Sequence, residues 1–146
     1  MMIRPLVLVA AAAFAVALPA AADPAAGAFI VMPAQLHWQS SNELPPGAKM
    51  AVVDGDPSKT GWYTIRISAP AGLVSPVHYH GGTEYLTVLS GTIELGTGKA
   101  VNMAMVTLPA GSYVEIPAGV HHVVKMKTAA VVQVSGNGPM TTTNVK

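Results

Sequence analysis

Turn-forming residues recur so closely along this chain that few segments between them are long enough for a helix. The 146-residue sequence holds 14 glycines and 12 prolines, many of them in turn signals such as PPG at 45–47, PAG at 109–111 and GNGP at 136–139. Clusters of this kind mark turns between elements of regular structure. The chain is therefore predicted to fold into short elements.

The segments between the turns have the composition of strands. They are rich in Val, Ile, Thr and Tyr, as in WYTIRIS, EYLTVLS, TIEL, SYVEIP, HHVVKMK and AAVVQVS. β-branched and aromatic residues are enriched in strands, and many short strands at regular spacing are typical of a sandwich or barrel. We therefore predict an all-β fold.

The first 22 residues have the organisation of a secretory signal peptide. Arg4 precedes an apolar run, and alanines at 20–22 offer a small-residue cleavage site. A membrane-spanning helix needs about 20 apolar residues, more than this run contains. We expect a mature protein in the periplasm or outside the cell. The expected organisation is a signal peptide over residues 1–22, a flexible arm over 23–33 and a single domain over 34–146.

Charge and cysteine content exclude several classes of partner. Without Arg4, seven basic residues balance seven acidic ones, so no long-range field favours nucleic acid or anionic lipid. We expect no nucleic-acid partner and no membrane association after signal cleavage. The chain contains no cysteine, so packing rather than disulfides must hold an exported domain of this kind together.

Two histidines and a glutamate lie within seven positions of one another. His78 and His80 are two residues apart, so in a strand their side chains face the same side. The glycine pair at 81–82 permits a tight turn or bulge, because glycine tolerates positive φ, and this turn would bring Glu84 back toward the imidazoles. Imidazole nitrogen and carboxylate oxygen are ligands for divalent transition metals. A further imidazole is available from the adjacent pair in PAGVHHVVKM.

These residues resemble the two motifs of the cupin superfamily. The first motif, GX5HXHX3EX6G, and the second, GX5PXGX2H, are both matched at every fixed position. The matching residues are Gly72, His78, His80, Glu84 and Gly91 in the first motif and Gly111, Pro117, Gly119 and His122 in the second. Cupins usually continue the second motif to an asparagine, where this chain has Met126. Because that asparagine is not a metal ligand in the family, the departure concerns fine positioning.

The resemblance implies a jelly-roll β-barrel with a divalent metal site of three histidines and one glutamate inside it. The metal can be Fe, Mn, Ni, Cu or Zn, because selectivity depends on geometry and availability as well as on ligand type. Four protein ligands around an octahedral ion leave two positions for a small-molecule ligand. The resemblance also leaves room for a homodimer through strand edges. The implied metal ligands are His78, His80, Glu84 and His122.

Two functions are consistent with such a site. One is a dioxygenase-like oxidoreductase acting on a small chelating organic substrate, with Glu84 as a catalytic base if burial raises its pKa. The other is a non-catalytic periplasmic binding or carrier protein for a small ligand or metal. The fold supports both, because function resides in the site rather than in the architecture.

Apolar residues are predicted to dominate the barrel wall near the ligands. By strand alternation, four of them share the side on which Glu84 or His122 lies. These four are Leu86, Val88, Val124 and Met126. Met103 and Met105 are expected to fill gaps in a core rather than to bind copper.

Four further polar residues lie outside the predicted ligand set. His121 faces away from His122 by strand alternation, so we expect it at the surface or behind the ligands. His37 is interpreted as an early-strand or subunit-contact residue. Arg66 is either solvated or an anion partner in the pocket, and Glu115 is predicted to face outward.

Overall fold

In the computed structural model, which describes residues 27–99 and 103–145, ten strands form two antiparallel sheets. The strands are β1 (Lys49–Asp54), β2 (Gly61–Ala69), β3 (His78–His80), β4 (Glu84–Ser90), β5 (Thr92–Thr97), β6 (Met105–Pro109), β7 (Tyr113–Ile116), β8 (His122–Met126), β9 (Ala130–Gly138) and β10 (Thr142–Asn144). The first sheet has the order β1-β2-β9-β4-β7, and the second has the order β10-β3-β8-β5-β6. This is a jelly roll, so the predicted all-β fold class is confirmed.

The strand composition seen in the sequence corresponds to strands in the structure. Each of the six segments named above overlaps one of β2, β4, β5, β7, β8 and β9. The prediction of a turn at GNGP is wrong for residues 136–138, because β9 continues to Gly138, which pairs with Gly61. A Cβ on Gly136 would lie 2.9 Å from the Tyr63 hydroxyl. Gly136 therefore allows close packing within a strand rather than a turn.

The hydrophobic core lies between the two sheets and follows strand alternation. Ile65 on β2, Val88 on β4 and Ile93 on β5 are each at most 1% exposed. Burying one such side chain contributes about 1.5–3 kcal/mol relative to leaving it in water. Since both sheets supply these residues, the core holds the two inner faces together.

The N-terminal predictions fall largely outside this fold. The chain divides into a unit that ends at Ile30 and a unit that begins at Val31. The predicted signal peptide at 1–22 lies outside the described residues, as do residues 23–26 of the predicted arm. A 3-10 helix, Pro33–Gln35, precedes β1. Among the described residues, no helix is long and apolar enough to cross a membrane.

Candidate metal centre

Three imidazoles converge between the sheets. His78 and His80 lie on β3, and His122 begins the neighbouring strand β8, where it pairs directly with His78. One ring nitrogen from each histidine lies within 4.8 Å of the other two. His122 is 1% exposed, whereas the other two rings are partly exposed. Strand alternation thus places the rings together, as the spacing predicts.

Each of these imidazoles is oriented by a backbone carbonyl. A carbonyl oxygen can only accept a hydrogen bond, so each Nδ1 carries the hydrogen and donates it. The Nε2 atom of each ring then presents its lone pair to the interior, the arrangement typical of metal-ligating histidines. The Nδ1 to oxygen distances are 2.7 Å for His78 to Pro76, 2.9 Å for His80 to Thr141 and 3.0 Å for His122 to Val120.

Glu84 reaches two of the imidazoles from the opposite sheet. It is the first residue of β4, and its Oε2 lies 3.1 Å from Nε2 of His80 and 3.4 Å from Nε2 of His122. A neutral imidazole has a single N–H, yet each of these rings faces two acceptors, a carbonyl at Nδ1 and the carboxylate at Nε2. With the hydrogen on Nδ1, lone pairs oppose each other at the carboxylate. Oε2 of Glu84 is indeed buried with no hydrogen-bond partner among the described residues.

The same contacts shift the pKa values of the group. Burial alone would raise the pKa of Glu84, but hydrogen bonds from His122 and His80, formed when their Nε2 atoms carry hydrogens, outweigh burial and lower the pKa to about 2. Burial would lower the pKa of His80, but Glu84 raises it above the usual value. Burial lowers the pKa of His78. Glu84 is therefore held as an anion, which is opposite to the raised pKa that a role as catalytic base would need, and that role stays a prediction.

A glycine-containing turn places His122. The N–H of Val120 donates to the Pro117 carbonyl at 3.1 Å, and Gly119, third in this turn, has a φ of 75°. A residue with a side chain would be strained at this φ. The N–H of Gly119 also donates to the His80 carbonyl at 2.9 Å. The second motif is thereby fixed directly against the strand that carries the first.

The glycine pair at 81–82 has a different role from the one expected. Neither residue is among the glycines with positive φ. A Cβ on Gly81 would lie 2.7 Å from Oγ1 of Thr141, and one on Gly82 would lie 3.2 Å from the Asn137 carbonyl oxygen. The pair is needed because neighbouring chain approaches it closely, not because the backbone is left-handed.

A cavity of about 110 Å³ lies beside the imidazoles and Glu84. Its wall is mostly apolar and includes Leu86, Val124 and Met126, as predicted. Val88 was also predicted on this wall, but it is buried in the core and does not line the cavity. Among the described wall residues, the ionisable side chains are those of His78, His80, Glu84, His122 and Glu43.

The remaining two histidines lie away from this group. The ring of His121 stacks on Tyr79, with the ring centroids 5.1 Å apart and the planes 17° apart. It faces away from the cavity, as strand alternation predicts. His37 is exposed and lies two residues before Gln39, which forms an isolated bridge to Met50. A subunit contact through His37 stays a prediction.

Arg66 and Glu115 also point away from the cavity. Nε of Arg66 donates to Oε1 of Gln133 at 3.2 Å, and Arg66 is not among the wall residues, so the reading as a pocket anion partner is wrong. Glu115 is exposed, as predicted.

The two methionines near the β5–β6 connection are not core residues. Met105 is 40% exposed. A Cβ on Gly96 would lie 2.6 Å from Sδ of Met105 and 2.9 Å from Cβ of Met103. The expectation that they fill a core is wrong, because they cover the outer side of β5 at Gly96. The sulfur fills the space that the missing glycine side chain leaves.

Glu43, the fifth ionisable residue of the wall, was not predicted from the sequence. It belongs to neither motif, and it precedes the PPG turn in a segment without strand pattern. Its place on the wall depends on how this segment folds against the barrel. No local sequence signal could have located it.

The residues present fit a divalent metal ion. Neighbouring ligands at right angles, with bonds of about 2.1 Å, lie about 3 Å apart, close to the 3.1 and 3.4 Å between Glu84 and the two imidazoles. A cation at this point would also satisfy the buried carboxylate oxygen that lacks a partner. The three-histidine group thus suggests a divalent metal, whose identity the ligands do not fix. The structure brings together all four predicted ligands, and their metal-binding role stays a prediction.

Comparison with solved structures shows the same fold in several proteins. The polyketide cyclase RemF from Streptomyces resistomycificus is 15% identical, with a TM-score of 0.68 over 82% of this chain and 86% of that one. A protein from Methylibium petroleiphilum PM1, provisionally assigned as an acetylacetone dioxygenase, is 23% identical, with a TM-score of 0.62 over 82% and 81%. An RmlC-like cupin from Shewanella frigidimarina is 16% identical, with a TM-score of 0.60 over 73% and 87%. At these identities the likeness concerns the fold alone.

A family model gives the more direct comparison. The model for the cupin domain matches residues 65–135, which include the four residues of the candidate metal centre. No curated protein matches the chain significantly. The two sequence motifs, the jelly roll and this match agree, and the chain belongs to the cupin superfamily.

Proposed function

We propose that the protein is a metal-dependent oxidoreductase of the dioxygenase type that acts on a small, neutral, chelating organic molecule. His78, His80, Glu84 and His122 would hold a divalent metal. When bound, the metal would supply a Lewis acid that makes an enol more acidic and a path for electrons to dioxygen. The chain's own residues would hold the metal, receive the substrate and exclude water.

The observation that carries the proposal is the unsatisfied carboxylate between two oriented rings. His80 and His122 each donate through Nδ1 to a carbonyl, so their Nε2 lone pairs face Oε2 of Glu84. A buried acceptor without a partner costs about 1–3 kcal/mol. This cost has no compensation if the arrangement is purely structural. A bound cation would offset the cost, which supports a metal site.

The size and polarity of the cavity support a small neutral substrate. Its volume is about 110 Å³, whereas a cavity of about 150 Å³ is known to hold benzene. A five-carbon 1,3-dicarbonyl fits this scale, while a flavonol would extend well outside it. Leu86 and Val124 on the wall would keep bulk water away from a reactive intermediate. The similarity to a protein provisionally assigned as an acetylacetone dioxygenase favours the same class.

The proposal is tested by oxygen consumption. Protein loaded separately with iron, copper, manganese, nickel or zinc is mixed with pentane-2,4-dione and related enolisable chelators, and dissolved oxygen is followed with an electrode. We expect uptake with at least one redox-active metal and only when a chelator is present. His122→Ala should abolish uptake, whereas His121→Ala, a matched change outside the cavity, should not. Binding of no chelator at millimolar concentration to fully metallated protein would contradict the proposal.

A non-catalytic carrier is the second candidate, and one observation favours it. Among the described wall residues there is no Lys, Arg, Asp, Tyr or Cys, so few groups are available to move protons. A carrier needs only the ligand set and the cavity. Tight chelator binding without oxygen uptake for any of the five metals would support the carrier over the oxidoreductase.

We also propose that the protein acts after export, to the periplasm or outside the cell. The support is the sequence of residues 1–22, which has the charged start, apolar run and alanine-rich site of a signal peptide. Homodimer formation through strand edges stays a prediction. Sedimentation of the purified mature protein distinguishes a dimer from a monomer.

A further inference from the structure

A carboxylate outside the cupin motifs lies on the wall of the metal cavity. Glu43 shares this wall with His80 and Glu84. Unlike Glu84 it is exposed to solvent. It belongs to Ser41–Ala48, which we call the mouth segment because it joins the cavity to the protein surface. No Lys or Arg lies among the described wall residues to neutralise it.

The mouth segment is held in place at several points. The N–H of Leu44 donates to the Ser41 carbonyl at 3.2 Å, and the N–H of Ala48 donates to the Pro45 carbonyl at 3.1 Å. Leu44 packs against the hydrophobic core, and Ala48 is 4% exposed. The N–H of Glu43 itself donates to Oγ of Ser41 at 3.2 Å. Glu43 therefore lies within one tight turn, and a second tight turn follows directly.

Glu43 lies close enough to the candidate metal centre to act on a ligand bound there. Its side chain and those of His80 and Glu84 line one cavity of about 110 Å³. Coulomb interactions between charges extend over such a distance, although water weakens them at an exposed group. The carboxylate of Glu43 therefore contributes a negative charge to the surroundings of any ligand in the cavity.

The charge balance of the loaded site shows what this field selects. A divalent ion with three neutral histidines and the Glu84 carboxylate carries a net charge of about +1, which would attract anions. The carboxylate of Glu43 brings the local total to about zero. We propose that Glu43 is a specificity-determining residue that disfavours anionic ligands and thereby restricts the cavity to neutral chelators. This inference rests on the proposed metal site and names the substrate class of that site.

The expected effect follows from Coulomb's law. An exposed, water-screened carboxylate on the wall of a small cavity is expected to change the affinity of a charged ligand in that cavity by about three- to tenfold. Salt weakens the interaction, since the Debye length is about 10 Å at 0.1 M and shorter above it. A neutral ligand experiences almost none of it.

The test compares Glu43→Gln with wild type and with Glu115→Gln, a matched change at an exposed glutamate away from the cavity. Each protein is loaded with the same divalent metal, and metal content is checked. Dissociation constants are measured by calorimetry for azide, a small anion, and for two ligands of equal size, neutral pentane-2,4-dione and anionic acetoacetate. The azide titrations are repeated at high salt.

We expect Glu43→Gln to bind azide about three- to tenfold more tightly than wild type, with a difference that shrinks at high salt. Its affinity for acetoacetate should rise by a similar factor, while metal content stays unchanged. Glu115→Gln should match wild type. Equal azide affinities in Glu43→Gln and wild type, or no azide binding to either, would overturn the inference. Failure of the dione to bind, with the azide difference present, would instead reject the proposed substrate while the role of Glu43 stands.

Discussion

Replacing Glu84 by leucine should have opposite effects on stability with and without metal. Within the part of the chain that the structure describes, Oε2 of Glu84 is buried without a hydrogen-bond partner, and such a group costs about 1–3 kcal/mol. At pH 8, well above the ordinary pKa of imidazole, Glu84→Leu removes this cost and keeps an apolar group of similar size in the core. We expect metal-free Glu84→Leu to be more stable than wild type by about 1–2 kcal/mol, which raises Tm by about 3–8 °C in a domain of this length.

Metal should reverse this order. At a free metal concentration of 100 times Kd, binding stabilises wild type by about 2.7 kcal/mol. The variant lacks one of the four proposed ligands and should gain much less, so wild type becomes the more stable protein. Thermal unfolding followed by circular dichroism, with a chelator and then with excess zinc, measures both states. Glu115→Leu, at an exposed position, is the control.

Two results would refute the reasoning. If metal-free Glu84→Leu is less stable than wild type at pH 8, the carboxylate is satisfied in the metal-free fold and serves a structural purpose. If zinc raises the Tm of both proteins equally, Glu84 is not a ligand. In either case the link between the buried carboxylate and a metal would be lost.

Three further predictions concern the ligands, pH and export. Alanine at His78, His80 or His122 should reduce bound metal at least tenfold by elemental analysis, whereas His121→Ala and His37→Ala should retain it; full occupancy in His122→Ala would exclude that residue as a ligand. The gain in Tm from zinc should fall from pH 8 to pH 5, because imidazole must be neutral to bind metal and the raised pKa of His80 makes it protonate early. In zinc-free protein the stability of the fold changes with pH in the opposite direction. Because the pKa of His80 is raised, the His80–Glu84 contact stabilises the fold below about pH 6.5, and this stabilisation is lost as the pH rises. Mass spectrometry of exported protein should show a chain that begins near Asp23, and retention of residues 1–22 would contradict cleavage.

Local sequence patterns were sufficient to predict the strands and the meeting of the ligands. β4 spans the same residues as the segment EYLTVLS. The burial of its side chains alternates along the strand, and Gly91 follows its last residue. The convergence of His78 and His80 follows from a two-residue spacing in a strand. That His122 pairs with His78 is a matter of register between strands distant in sequence. Only the family motifs indicated it in advance.

Features set by tertiary contacts could not be predicted in this way. The glycines at 81–82 looked like a left-handed turn, but they are required because Thr141 and Asn137 approach them from the C-terminal part of the chain. The low pKa of Glu84 depends on two imidazoles in the opposite sheet, which outweigh burial. The place of Glu43 depends on the fold of the mouth segment. Each involves a partner far along the chain, which no spacing rule specifies.

The most direct test of the central claim is the position of the metal in a crystal of the mature protein purified from its exported compartment. Anomalous diffraction recorded at the absorption edge of the metal found by elemental analysis gives that position. The account predicts one strong peak within about 2.0–2.2 Å of Nε2 of all three histidines and of a Glu84 oxygen. A protein free of divalent metal, or a peak elsewhere such as beside Met103 and Met105, would contradict it.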